Sequence, residues 1–187
     1  TRYAADLAWA QVTNPSRDAN GIAEIAATCR ALATHDPSDP HVIGALAVAM
    51  IRCGEAGTVA QVSPVECLVA VAPRLRLSVD KASAWYYACL GLGQGEPTEE
   101  AKARAREWLG AGVSLCPLHG ARTLAEGAVA RWFARDLEDE RNLVMGRVRE
   151  YAKPKVARYE EALAYLRYLD LVLASSSAAP DPTRRDL

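Results

Sequence analysis

Apolar and polar positions along this chain recur with the period of a helix and almost nowhere with the two-residue period of a strand. Between Ile22 and Thr34, the residues Ile22, Ile25, Ala26, Cys29 and Leu32 follow three- and four-residue steps, which puts them on one helical face. His35-Asp36-Pro37 ends that run, since proline has no amide hydrogen to continue it. Ser38 or Asp39 then caps a second helix over His41 to Cys53, with Pro40 in its first turn and Gly54 and Gly57 closing it. A third helix is predicted over Pro64 to Ala72, capped by Ser63 and stopped by Pro73. A fourth covers Lys81 to Leu92, with Asp80 as its cap. After the breaker Gly91 to Pro97, a fifth begins at Thr98, carries Glu99 and Glu100 where the helix dipole favours them, and runs to Leu115. Further segments span Gly120 to Ala134, Leu137 to Tyr151 and Val156 to Ala174, with Lys153-Pro154-Lys155 breaking the last two apart. The expectation is an all-α domain of about seven or eight helices over residues 1–174. Residues 175–187, rich in Ser, Ala and Pro, read as a disordered low-complexity tail.

Composition sharpens this reading. Half of the 187 residues are hydrophobic but only 6% are aromatic, a balance that favours closely packed helices rich in Ala and Leu. The net charge of -1 supplies no global field to draw in nucleic acid or an anionic membrane. Arg52 and Gly54, or Pro73, interrupt the longest apolar runs short of the ~20 residues that a membrane span needs, so no membrane insertion is expected. Cys29, Cys53, Cys67, Cys89 and Cys116 are odd in number and sit in or beside helical segments. They read as small core residues of an intracellular protein in a reducing compartment, not as a disulfide framework.

The helix-stopping prolines Pro37, Pro73, Pro117 and Pro154 stand at spacings of 36, 44 and 37 residues, a rhythm of one helical hairpin per interval. Over Ala82 to Pro117 the pattern Trp85-x-x-Ala88-Cys89-x-x-Leu92, then Ala105-x-x-x-Leu109, then Pro117, resembles the tetratricopeptide repeat. Ala88 and Cys89 stand where that family has Leu and Gly, Leu twice replaces an aromatic, and the turn is about four residues longer. The resemblance implies a short right-handed solenoid of antiparallel helical hairpins that engages a protein partner. Short side chains at Ala88, Cys89 and Ala105 also make physical sense in their own right, because two helices cross closely only where side chains are small.

Chemistry-bearing patterns are sparse. Gly91-x-Gly93-x-Gly95 follows a helix where a phosphate-binding loop would follow a strand, so it reads as a turn. Cys116 and His119 have the spacing of two zinc ligands without a second pair nearby, and no metal is expected. The run from His35 to His41 gathers two His and two Asp that serve as turn and cap residues. No catalytic residues and no cofactor are assigned. Between Arg131 and Arg158, the cations include Arg131, Arg135, Arg147, Lys153, Lys155 and Arg158, and the local charge is +3. This basic patch admits a second reading, an RNA-binding helical repeat of the pentatricopeptide kind, and an enzyme with an unrecognised helical site is a third. The last helix carries the stripe Tyr159, Ala162, Leu166, Leu169 and Leu173, with Tyr165, Tyr168 and Val172 beside it. Those three are the candidate partner-binding residues of a non-enzymatic adaptor or structural subunit.

Overall fold

The structure, a computed structural model, describes residues 2–116 together with residues 118, 119, 122, 142–144, 146, 147, 149, 160, 164 and 167. It is predominantly helical. In chain order the helices are α1 (Arg2–Val12), α2 (Ala19–His35), α3 (Pro40–Cys53), α4 (Pro64–Val71), α5 (Ser78–Leu92) and α6 (Glu99–Leu115), with a short 3₁₀ turn (Ala72–Arg74) after α4. The described residues beyond Cys116 are helical as well. The predicted tail and most of the three predicted C-terminal helices lie outside the described residues.

Local chemistry explains where most helices begin. The side chains of Asp18, Asp39, Ser63 and Thr98 each accept an amide hydrogen bond from the first turn of α2, α3, α4 and α6, satisfying donors that have no intrahelical partner. Pro40 and Pro64 occupy first helical positions, where a missing N–H costs nothing. At the far end of α3, Gly54 adopts φ +64 and its amide reaches Ile51 O at 3.2 Å, a left-handed cap that other residues adopt only with strain.

Two helix starts differ from expectation. α1 was not anticipated, because three of its inward residues are small or mid-sized (Ala5, Ala8 and Val12) and only Trp9 is large. α5 begins at Ser78, with Leu77 preceding it and no side-chain cap. Asp80 is therefore inside the first turn of α5 and does not cap it, for its carboxylate accepts the indole N–H of Trp9 at 3.0 Å.

α3 is the centre of the fold. It packs against α1, α2, α4 and α5, and every residue from Val42 to Ile51 is buried. Such enclosure needs close approach, and Gly44 supplies it: a Cβ there would stand 3.0 Å from the Trp9 ring and 3.3 Å from Val71. Gly91 does the same where α5 meets the ends of α3 and α4, since a Cβ would fall 2.8 Å from both Ile51 and Val65. The expected small-residue contact between α5 and α6 is present: Ala88, Cys89 and Ala105 are buried, and the Cys89 thiol lies 3.9 Å from Ala105 O. Trp85 and Trp108 stack beside it with centroids 6.2 Å apart. Full burial of side chains such as Ile22, Leu68 and Leu109 contributes about 1.5–3 kcal/mol each, whereas the exposed Arg30–Glu55 pair contributes at most about 1.

The loop from α3 to α4 contains a two-residue hairpin. Val59 and Val62 exchange both backbone hydrogen bonds, at 2.9 and 3.1 Å, around Ala60 and Gln61 at φ 50 and 70. Positive φ at both central residues is the demand of a primed turn, which Asn and Gly meet at lower cost than Ala and Gln. Buried Val59 anchors the strained tip to the core.

Candidate functional site

Helices α1, α3 and α5 converge on a polar cluster that nothing in the local sequence announces. His41, the second residue of α3, has Nδ1 3.5 Å from Asp6 Oδ1 on α1 and Nε2 3.6 Å from Asp80 Oδ2 on α5. The other oxygen of Asp80 accepts the Trp9 indole N–H, and the Trp9 and His41 rings meet edge to face at 6.1 Å. The side chains of His41 and Asp80 are only 14% and 17% exposed, while that of Asp6 is 53% exposed. The imidazole thus sits between two carboxylates and against an aromatic ring. Such an arrangement fixes three helices relative to one another. At the opposite end of α3, the chain leaving α1 is gripped by Arg52, whose guanidinium donates to the carbonyls of Val12, Asn14 and Arg17 at 2.7–2.8 Å, and by Tyr87, whose hydroxyl donates to Thr13 O. These bonds satisfy carbonyls that the end of α1 leaves open.

A second cluster forms on α5. Ser83 Oγ is 3.2 Å from His119 Nε2, a distance that suits a nucleophile and its base. The hydroxyl proton of Ser83 is already donated to Val79 O at 2.9 Å, one turn back along the helix. Arg122 lies over the Tyr86 ring at 4.5 Å, and Tyr86 meets Tyr87 edge to face at 4.8 Å. Buried aromatics and a buried guanidinium make this cluster a packing feature.

The metal and thiol candidates resolve similarly. His119 faces Ser83, and among the described residues no group of three or more His, Cys, Asp and Glu could hold a metal ion. Asp36 and Asp39 take the turn and cap roles expected of them, with Asp36 Oδ1 accepting from the Ser38 amide and Asp39 Oδ1 from the His41 amide. His41 instead joins the interhelix cluster. All five cysteines are free thiols. Among the described residues no helix is long and apolar enough to cross a membrane.

Of the residues singled out for binding, Arg147 is described, helical and half-buried. Tyr165, Tyr168, Val172, Arg131, Arg135, Lys153, Lys155 and Arg158 lie outside the described residues. Nearby, Glu160, Ala164 and Arg167 are described, helical and exposed. The Asp6–His41–Asp80 cluster was not legible beforehand, because Asp6 and Asp80, which flank His41, stand far apart along the chain on α1 and α5. No family model, no curated protein and no solved structure matches this chain.

Proposed function

We propose that this chain is a non-enzymatic helical-hairpin repeat that holds a protein partner, as an adaptor or structural subunit of a larger assembly. The observation that carries this reading is the order of packing: each helix lies against the next, and α1 packs on α3 and α3 on α5. Nearest-neighbour stacking of hairpins is how helical-repeat arrays bury their apolar faces, and such arrays act by presenting surface. In this reading α1–α2, α3–α4 and α5–α6 are successive hairpins of a short right-handed solenoid. Residues Val42 to Ile51 of α3 are buried, which directs the search for a partner surface to the C-terminal stretch. There Tyr165, Tyr168 and Val172 recur at three- and four-residue steps, the sequence spacing of one helical face. Tyrosine offers much apolar contact at small rotamer cost. Five free thiols fit a reducing compartment.

The test isolates the complex that the native chain forms and replaces Tyr165 and Tyr168 together with Ala. Association should weaken about tenfold, equivalent to ~1–2 kcal/mol, while the melting temperature stays unchanged. A fall in melting temperature with unchanged association would assign both rings to the core and end the proposal. A salt titration of the same complex separates the RNA reading, since phosphate contacts weaken steeply with salt and an apolar interface does not.

A further inference from the structure

The first turn of α2 contains a bond with chemistry of its own. Asn20 is exposed and is followed by Gly21, and the amide nitrogen after an asparagine is a nucleophile within reach of the side-chain carboxamide. Glycine, lacking Cβ, hinders that attack least. In the reaction the Gly21 nitrogen bonds to Asn20 Cγ, the Cγ–Nδ2 bond breaks, and ammonia leaves with the amide proton. Water then opens the cyclic imide at either carbonyl, leaving aspartate or isoaspartate at position 20. Solvent water is the only co-reactant.

Two features of the folded chain oppose this attack. Gly21 N–H donates to Asp18 Oδ1 at 2.8 Å, so the proton that must leave is held and the nitrogen is aimed at the cap. Asn20 also lies within α2, and helical dihedrals turn the following nitrogen away from the asparagine side chain. Both restraints depend on Asp18, whose backbone carbonyl also accepts from Ile22 N at 3.0 Å. Ala19 and Asn20 are exposed, and Ile22 is the first core residue of the helix, 1% exposed. The first turn can therefore open without disturbing the core. An isoaspartate at position 20 would add a backbone carbon immediately before Gly21, whose amide the cap holds, and prevent the cap from re-forming.

We propose that Asn20–Gly21 is a deamidation site gated by the Asp18 cap: closed while Asp18 holds the first turn of α2, reactive once that turn opens. The experiment incubates the full chain in mildly alkaline native buffer and follows aspartate and isoaspartate at position 20 by peptide mapping. Asp18→Ala should convert about tenfold faster than the native chain, the factor that a cap worth about 1.4 kcal/mol corresponds to. Asp18→Ser, which retains a side-chain acceptor at the cap position, should stay slow. In denaturant all three should convert at one rate. Equal native rates for Asp18→Ala and the parent, or equally fast conversion of Asp18→Ser, would overturn the proposal. Should Asp18→Ala fail to fold, the parent chain alone decides: its conversion must be at least about tenfold slower in native buffer than in denaturant, and equal rates would refute the gate.

Discussion

Cys29, Cys67 and Cys89 show how far burial alone sets the behaviour of a residue. Loss of solvation pushes the Cys29 and Cys67 thiols from 9.0 up to about 11, with Arg30 and Arg74 pulling the other way, and pushes the Cys89 thiol up to about 12. At neutral pH these groups are neutral, apolar in character and poor nucleophiles. Their folded values lie above their unfolded ones, so their contribution to stability is whole below about pH 9 and is lost as pH rises through about 11. The denaturant midpoint should accordingly hold steady to about pH 9 and then fall, and iodoacetamide should begin to label Cys29, Cys67 and Cys89 over that same interval. Ready labelling of all three in the native protein at neutral pH would contradict the burial argument. The residue scale is also where the sequence was least informative about polar roles. Asp80 has the look of a helix cap, and only the arrival of Trp9 from α1 makes it an acceptor for an indole.

Among the elements, the α5–α6 hairpin was the most legible. Ala88, Cys89 and Ala105 were recognisable as a close crossing because small residues recurred at helical spacing opposite larger ones, and all three are buried. Ala105→Leu should therefore overpack the hairpin and destabilise the protein by about 1–3 kcal/mol, whereas Ala103→Leu, on the exposed side of the same helix, should change stability by less than about 0.5. Chemical denaturation of both variants decides it, and equal effects would mean that the contact face of α6 is misplaced. α1 was the least legible element. Alanine makes up half of its buried residues, Ala5 and Ala8 beside Trp9 and Val12, which lowers the contrast between its two sides, and its docking depends on Arg52 and Tyr87, far away in sequence. The hairpin tip at Ala60 and Gln61 was illegible for a different reason, since neither residue favours positive φ and the buried Val59 holds the turn in place.

For the molecule as a whole, the question is whether the helices act as a row of units or as one body. Buried residues of all six helices form a single cluster centred on α3. Of the chain's four tryptophans, Trp9 reports on α1, Trp85 on α5 and Trp108 on α6, while Trp132 lies outside the described residues. If α3 unites the core, tryptophan fluorescence and far-UV circular dichroism should trace one coincident unfolding transition. Two separated transitions would show that the α1–α2 and α5–α6 hairpins unfold independently, as weakly coupled repeats do. Such an outcome would leave the all-α fold standing and remove α3 as its common core.

Taken alone, the sequence determined those features that depend on neighbours within a few residues: helical periodicity, the cap at Ser63, the start of a helix at Thr98, the proline stops, and the small residues at one crossing; between Ser38 and Asp39 it left the cap of α3 open, and the structure gives it to Asp39. These are local because a helix satisfies its backbone within a single segment and shows its buried face every three or four positions. Tertiary structure decided what depends on the meeting of distant segments. It made α3 a fully enclosed helix, gave Asp80 to Trp9, set His41 between Asp6 and Asp80, and assigned Arg52 to the carbonyls at the end of α1. A hydrogen bond spanning 71 residues leaves no trace in local spacing, because the three-dimensional path of the chain, not the identity of its neighbours, brings the donor to its acceptor.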